Sequence, residues 1–116
     1  MQMDIYNFLL VFHIFVVGLL FLYIGIYKEK IDVKLYDYIY YLAIIIILYH
    51  SYKVYIQKDT WVNYIHILFI GPLLLTIGKN NIQTPYYYYE MLLILGFGAI
   101  GFNSYKFLLY NDLLVN

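Results

Sequence analysis

The sequence predicts an all-α, integral membrane four-helix bundle built from two tandem duplicated transmembrane hairpins, with both termini on the same side. Three observations carry this. The 116 residues are 65% hydrophobic with a mean hydropathy of +0.73, more apolar surface than a soluble domain of this size can bury. The apolar residues fall into four runs, each long enough at about 1.5 Å per residue to cross about 30 Å of hydrocarbon. Finally, residues 1–56 set against 54–109 without gaps give 13 identities in 56, where this alphabet gives about one match in ten by chance. The excess falls on scarce residues: His13, Gly18 and Gly25 return as His66, Gly71 and Gly78, and Ser51-Tyr52-Lys53 returns as Ser104-Tyr105-Lys106.

Residues 5–27 form the first predicted span. No lysine precedes it and no small-residue cleavage site follows, so it reads as a retained helix and not a removable signal. Residues 28–34 are a charged turn and residues 35–56 the second span, with Tyr36, Tyr38, Tyr40 and Tyr41 at headgroup level. Residues 57–60 are the second turn, where Asp59 or Thr60 can cap the third helix and Trp61 can anchor it at the interface. The third span runs from 61 to 78. Pro72 removes its hydrogen bond to the Leu68 carbonyl, which predicts a bend that the counterpart Leu19 does not. Residues 79–83 form the third turn, and Thr84-Pro85 reads as an N-cap with proline at the first helical position of the fourth span, 86–109. Residues 1–116 are thus one transmembrane domain, with repeat 1 over about 5–56 and repeat 2 over about 61–109. The lysine balance leans to termini away from the cytoplasm.

Depth counting places His13, His50, His66 and Asn103 about 7–12 Å below one face of the membrane. Tyr36, Ala43 and His50 follow at seven-residue steps, as do Tyr89, Gly96 and Asn103. With Gly18, Gly25, Gly71 and Gly78 they form small-residue stripes for helix packing. Asp37 and Glu90, equivalent carboxylates at the other face, are either solvated boundary residues or the far end of a polar path. The polar layer has three readings: structural hydrogen bonds between helices of about 0.6–1.7 kcal/mol each; a haem or divalent-metal site using His13, His50, His66 and Asn103, hence a haem- or metal-binding membrane carrier; and a small proton or ion channel relying on histidine titration.

Several classes are excluded. Seven lysines, no arginine and balanced charge leave no basic footprint, so no nucleic-acid partner is expected. The chain has no cysteine, hence no thiolate chemistry. Gly96-Phe97-Gly98-Ala99-Ile100-Gly101 matches a dinucleotide fingerprint but lies mid-span without a preceding strand, so it reads as helix packing. No catalytic triad, P-loop or zinc-protease motif is present, and no enzyme is expected. The expected partners are the lipid bilayer and a second copy or other membrane or capsid proteins.

The run from His66 through Gly71-Pro72 to Gly78, then Thr84-Pro85, then Tyr89-Glu90-Met91 to Gly96-Phe97-Gly98-Ala99 resembles a group of small, uncharacterised membrane proteins encoded by large DNA viruses of algae and other protists. The likeness spans most of the chain. It implies a viral origin and residence in the internal membrane of a virion or in a host membrane, and it brings no established activity. In that group histidine often stands where this chain has Asn103, which would complete a fourfold histidine layer.

Overall fold

The computed structural model describes residues 4–57 and 61–112. These form four helices, each long and apolar enough to cross a membrane: α1 (Ile5–Lys30), α2 (Val33–Gln57), α3 (Trp61–Gln83) and α4 (Tyr86–Tyr110). No strand occurs among the described residues. The anticipated caps Asp59 and Thr60 lie outside the described residues.

Local chemistry sets the helix ends. Asp4 caps α1, its side chain accepting the Asn7 amide at 2.8 Å. Asp32 caps α2, with its side chain accepting the Lys34 amide at 2.9 Å and its carbonyl accepting the Leu35 amide, which starts the helix two residues earlier than the sequence reading did. Residues 79–83, anticipated as a turn, are helical: α3 continues to Asn80 and closes with a 3-10 turn at Asn81–Gln83. The Thr84 hydroxyl, assigned by the sequence to the start of α4, instead donates back to the carbonyls of Asn81 at 2.7 Å and Ile77 at 3.2 Å. It serves the end of α3.

The chain divides into two compact units. One joins Met1–Lys28 to Tyr89–Asn116 and so pairs α1 with α4; the other is Glu29–Tyr88 and pairs α2 with α3. The packed pairs are therefore not the two hairpins of the sequence repeats. Each takes the first helix of one repeat and the second helix of the other.

Both pairs are antiparallel and rest on close approach at glycine. In the first unit, a Cβ added at Gly18 would meet the Ile100 side chain at 2.6 Å, and one at Gly25 would stand 3.0 Å from the Leu93 backbone nitrogen. In the second unit Gly71 faces Ile47, and a Cβ at Gly78 would stand 2.7 Å from the Tyr40 backbone nitrogen. Gly96 is crowded by Leu22, whereas Gly98 and Gly101 have no heavy atom within 4 Å of a built Cβ. The seven-residue stripe is buried where α2 carries it, at Tyr36, Ala43 and His50; on α4, Tyr89 and Gly96 are buried and Asn103 is half-buried. Tyr38 and Tyr41 face outward.

Two departures from regular helix recur at the same spacing of 53 residues. A wide π-type turn occupies His13–Gly18 in α1 and His66–Ile70 in α3. Leu19 stands in α1 where Pro72 stands in α3, and the wide turn forms in both helices, so proline is not required for it. In α3 the Gly71 amide bonds the His66 carbonyl five residues back. A Cβ at Gly71 would stand 2.9 Å from that oxygen, and one at Gly18 would stand 3.1 Å from the His13 carbonyl. The five-residue interval between histidine and glycine is thus the interval of a π-type hydrogen bond. Lys28 and Asn81 both take positive φ, 53° and 59°, where α1 and α3 tighten into their 3-10 turns. Asparagine tolerates that region better than lysine does.

At the chain ends of the first unit, Asn7 and Asn111 exchange side-chain amide bonds of 2.8 and 3.2 Å. The Tyr110 hydroxyl donates to Asp4 at 2.8 Å. The Asn7 amide and then this hydroxyl hold the Asp4 carboxyl below its ordinary value of 3.8. A depressed carboxylate adds stability that is complete above the unfolded-state value and disappears as pH falls through the folded-state value.

Two predictions follow from these contacts. In chemical or thermal unfolding of the detergent-solubilised protein, Gly78→Ala is expected to lower stability by about 1–3 kcal/mol through overpacking, while Gly98→Ala leaves it unchanged or raises it by up to about 1 kcal/mol. Melting temperature is expected to fall as pH drops below the ordinary Asp range, and Asp4→Asn, which keeps a capping oxygen but does not titrate, makes that fall shallower.

Candidate functional site

The polar side chains with best-defined surroundings lie in the second unit, where α2 brings His50 against the first turns of α3. The imidazoles of His50 and His66 stack face to face, with centroids 4.0 Å apart and planes 19° from parallel. His50 Nδ1 lies 2.8 Å from the Asn63 side-chain oxygen, and both residues are buried. His66 Nδ1 lies 2.7 Å from the Val62 carbonyl, one helical turn earlier. The Tyr49 ring meets His50 edge-on at 5.1 Å, and Lys53 extends its ammonium over the Tyr49 ring at 5.5 Å.

These contacts fix the tautomers. A carbonyl or amide oxygen only accepts, so each neutral imidazole carries its hydrogen on Nδ1 and its lone pair on Nε2. His13 in the first unit is held the same way, with Nδ1 2.7 Å from the Leu9 carbonyl. That carbonyl also accepts the His13 backbone amide, at the head of the wide turn. Asn103 donates its side-chain amide to the Ala99 carbonyl at 2.7 Å. Of the four residues that depth counting grouped, His50 and His66 are in direct contact, while His13 and Asn103 each close on the backbone of their own helix.

Asn63 was missed in the sequence reading. It precedes His66 by three residues and so shares its face of the helix, a placement that the (i, i+3) rule gives directly. Asn7 and Asn111 were missed too: Asn7 lies in the first turn of the first predicted span and Asn111 just beyond the fourth. Asp37 and Glu90 are exposed. Lys106 lies over the Phe102 ring at 5.6 Å, repeating the relation of Lys53 to Tyr49.

The stack is poorly suited to a shared metal ion. A metal ligand bonds through a lone pair in the plane of its ring, and in two nearly parallel stacked rings these lone pairs run side by side and do not converge. Bis-histidine haem ligation needs the two nitrogens to face each other across the iron, which a stack with centroids 4.0 Å apart does not provide. Among the described residues no three His, Cys, Asp or Glu side chains are grouped to hold a metal ion. The arrangement instead joins two helices.

No protein-family model matches the chain, and neither the curated proteins nor the solved structures include a significant match to it.

If the Asn63 amide is the acceptor for a buried imidazole N–H, Asn63→Leu leaves that donor without it and is expected to cost about 1–3 kcal/mol in unfolding experiments. Combining it with His50→Phe is expected to recover part of the loss, a non-zero coupling in the double-mutant cycle.

Proposed function

We propose that this chain is a small, non-enzymatic, multi-pass integral membrane protein that acts as a structural component of its membrane. The observation that carries this reading is where its polar side chains go. In helices long and apolar enough to span a bilayer, Asn63, His13, His66, Asn103 and Thr76 bond protein oxygens or a neighbouring imidazole. Polar groups in hydrocarbon require such partners; most of these bonds close on the side chain's own helix, and the His50–Asn63 bond joins two helices.

The protein is further read as two copies of one ancestral helix pair. Support comes from details that recur at 53 residues: the wide turns after His13 and His66, the positive φ of Lys28 and Asn81, and the glycine contacts. Gly18 with Ile100 corresponds to Gly71 with Ile47, and Gly25 with Leu93 corresponds to Gly78 with Tyr40. Chance identity in an apolar alphabet does not account for shared backbone departures. Residence in the internal membrane of a virion, or in a host membrane, is supported by the resemblance of the run from His66 to Ala99 to small membrane proteins of large DNA viruses. Neighbouring membrane or capsid proteins, or a second copy, are then the natural partners.

The test is fractionation followed by spectroscopy. The expressed protein is expected to stay with the membrane pellet through alkaline carbonate, to co-purify with virus particles when made during infection, and to lack both a Soret band and stoichiometric metal after detergent purification. Release by carbonate removes the membrane reading, absence from particles removes the virion role, and a haem spectrum replaces the structural role with that of a carrier.

A further inference from the structure

We propose that the chain is two self-complementary halves joined by a tether, residues 4–57 and 61–112, each the binding partner of the other, and that the His50–Asn63 bond selects this partnership over pairing of the first half with a second copy of itself. The inference rests on the duplication reading for its matching of positions, and goes beyond it by naming what each half recognises.

Each unit is built across the halves. In the unit of α1 and α4, Gly25 of the first half meets Leu93 of the second, and Asn7 exchanges amide bonds with Asn111. In the unit of α2 and α3, Gly78 of the second half meets Tyr40 of the first, and His50 bonds Asn63. Each half therefore carries one glycine-bearing helix, α1 or α3, and one receiving helix, α2 or α4. A glycine helix of one half against the receiving helix of the other, made twice, is the contact pattern of an isologous interface. The faces are matched in spacing as well. Gly18 and Gly25 stand seven residues apart, as do Gly71 and Gly78, and their receivers Ile100 and Leu93 repeat that interval, as do Ile47 and Tyr40. The receiving face of α2 thus suits Gly18 and Gly25 of a second copy on the same terms as Gly71 and Gly78.

Fit at glycine does not discriminate between partners; a polar residue does. Asn63 has Leu10 at the position 53 residues earlier, and both are buried. In a pair made of two first halves, His50 stands against Leu10 of the other copy and loses the side-chain oxygen that Asn63 places 2.8 Å from its Nδ1. Losing an acceptor in apolar surroundings is costly, and a penalty on the wrong partner is how specificity is built on a shared face. The stack of His50 on His66 gives no such selection, since His13 holds the equivalent position in α1. The choice of partner therefore falls to the hydrogen bond.

The experiment cleaves the folded full chain in detergent micelles at a protease site inserted between Gln57 and Trp61, mixes isotope-labelled and unlabelled batches, and reads the pairs by native mass spectrometry. The cut halves are expected to stay together as one first half with one second half. Mixing is expected to exchange partners between batches, with pairs of two first halves about tenfold scarcer than mixed pairs, the ratio that one interhelical hydrogen bond supports. Leu10→Asn returns an acceptor opposite His50 and is expected to raise the pairs of two first halves about tenfold. Because that outcome is a gain of association, a failure to fold cannot imitate it. Halves that part on cleavage overturn the mutual recognition and leave the duplication reading standing. First halves that already pair with themselves as often as with second halves overturn the selection. Halves that stay paired but are unmoved by Leu10→Asn overturn it too, together with the matching of positions from which it was drawn.

Discussion

Backbone approach at Gly25 and Gly78 is the contact on which the remaining packing depends. A helix that presents a hydrogen atom in place of a side chain can come close enough for its neighbour's backbone, at Leu93 in one unit and Tyr40 in the other, to fill the gap. For helices placed in hydrocarbon, as their length and hydropathy allow, no hydrophobic driving force favours association, and close van der Waals fit would supply much of it. Gly18 and Gly71 extend the contact by about two helical turns and receive isoleucine side chains. Buried Tyr36 and Tyr89 lie one turn beyond Tyr40 and Leu93.

Polar residues obey a second constraint. A histidine or asparagine in an apolar helix has a donor that must be satisfied, and the nearest acceptor is often a carbonyl one turn away. His13, His66 and Asn103 take that route. His50 differs because α3 offers it a side-chain oxygen, and this difference turns one histidine of the three into a bond between helices.

Much of the fold was legible in the sequence. Four runs of apolar residues marked four helices, because hydropathy over a helix length is a strong signal. Helix ends were read less well: Asp32 and Thr84 act through side-chain bonds whose direction the sequence does not state. The recurrence of histidine and glycine at a fixed interval was visible, but its meaning was not. An interval of five matches neither three nor four, the helical neighbours, and it becomes intelligible once the wide turn is seen. Pro72 drew attention to α3 alone, whereas the wide turn forms in α1 as well, where no proline stands. In the candidate site, depth along each helix grouped His13, His50, His66 and Asn103, of which His50 and His66 are in contact. Depth says nothing of rotation about the helix axis, and so Asn63 escaped notice although it lies on the right face.

The wide turns also act on the phase of the helices that contain them. A ring closed five residues back holds one residue more than the regular ring, so side chains after it are rotated by about 100° relative to an unbroken helix. Residues 5–12 and 19–27 of α1 therefore present faces that no single helical wheel can superimpose, and the same holds on either side of 66–70 in α3. Each of these rods can thereby offer different neighbours to its two ends without a kink or a break in the chain, and the change of heading is located at a histidine.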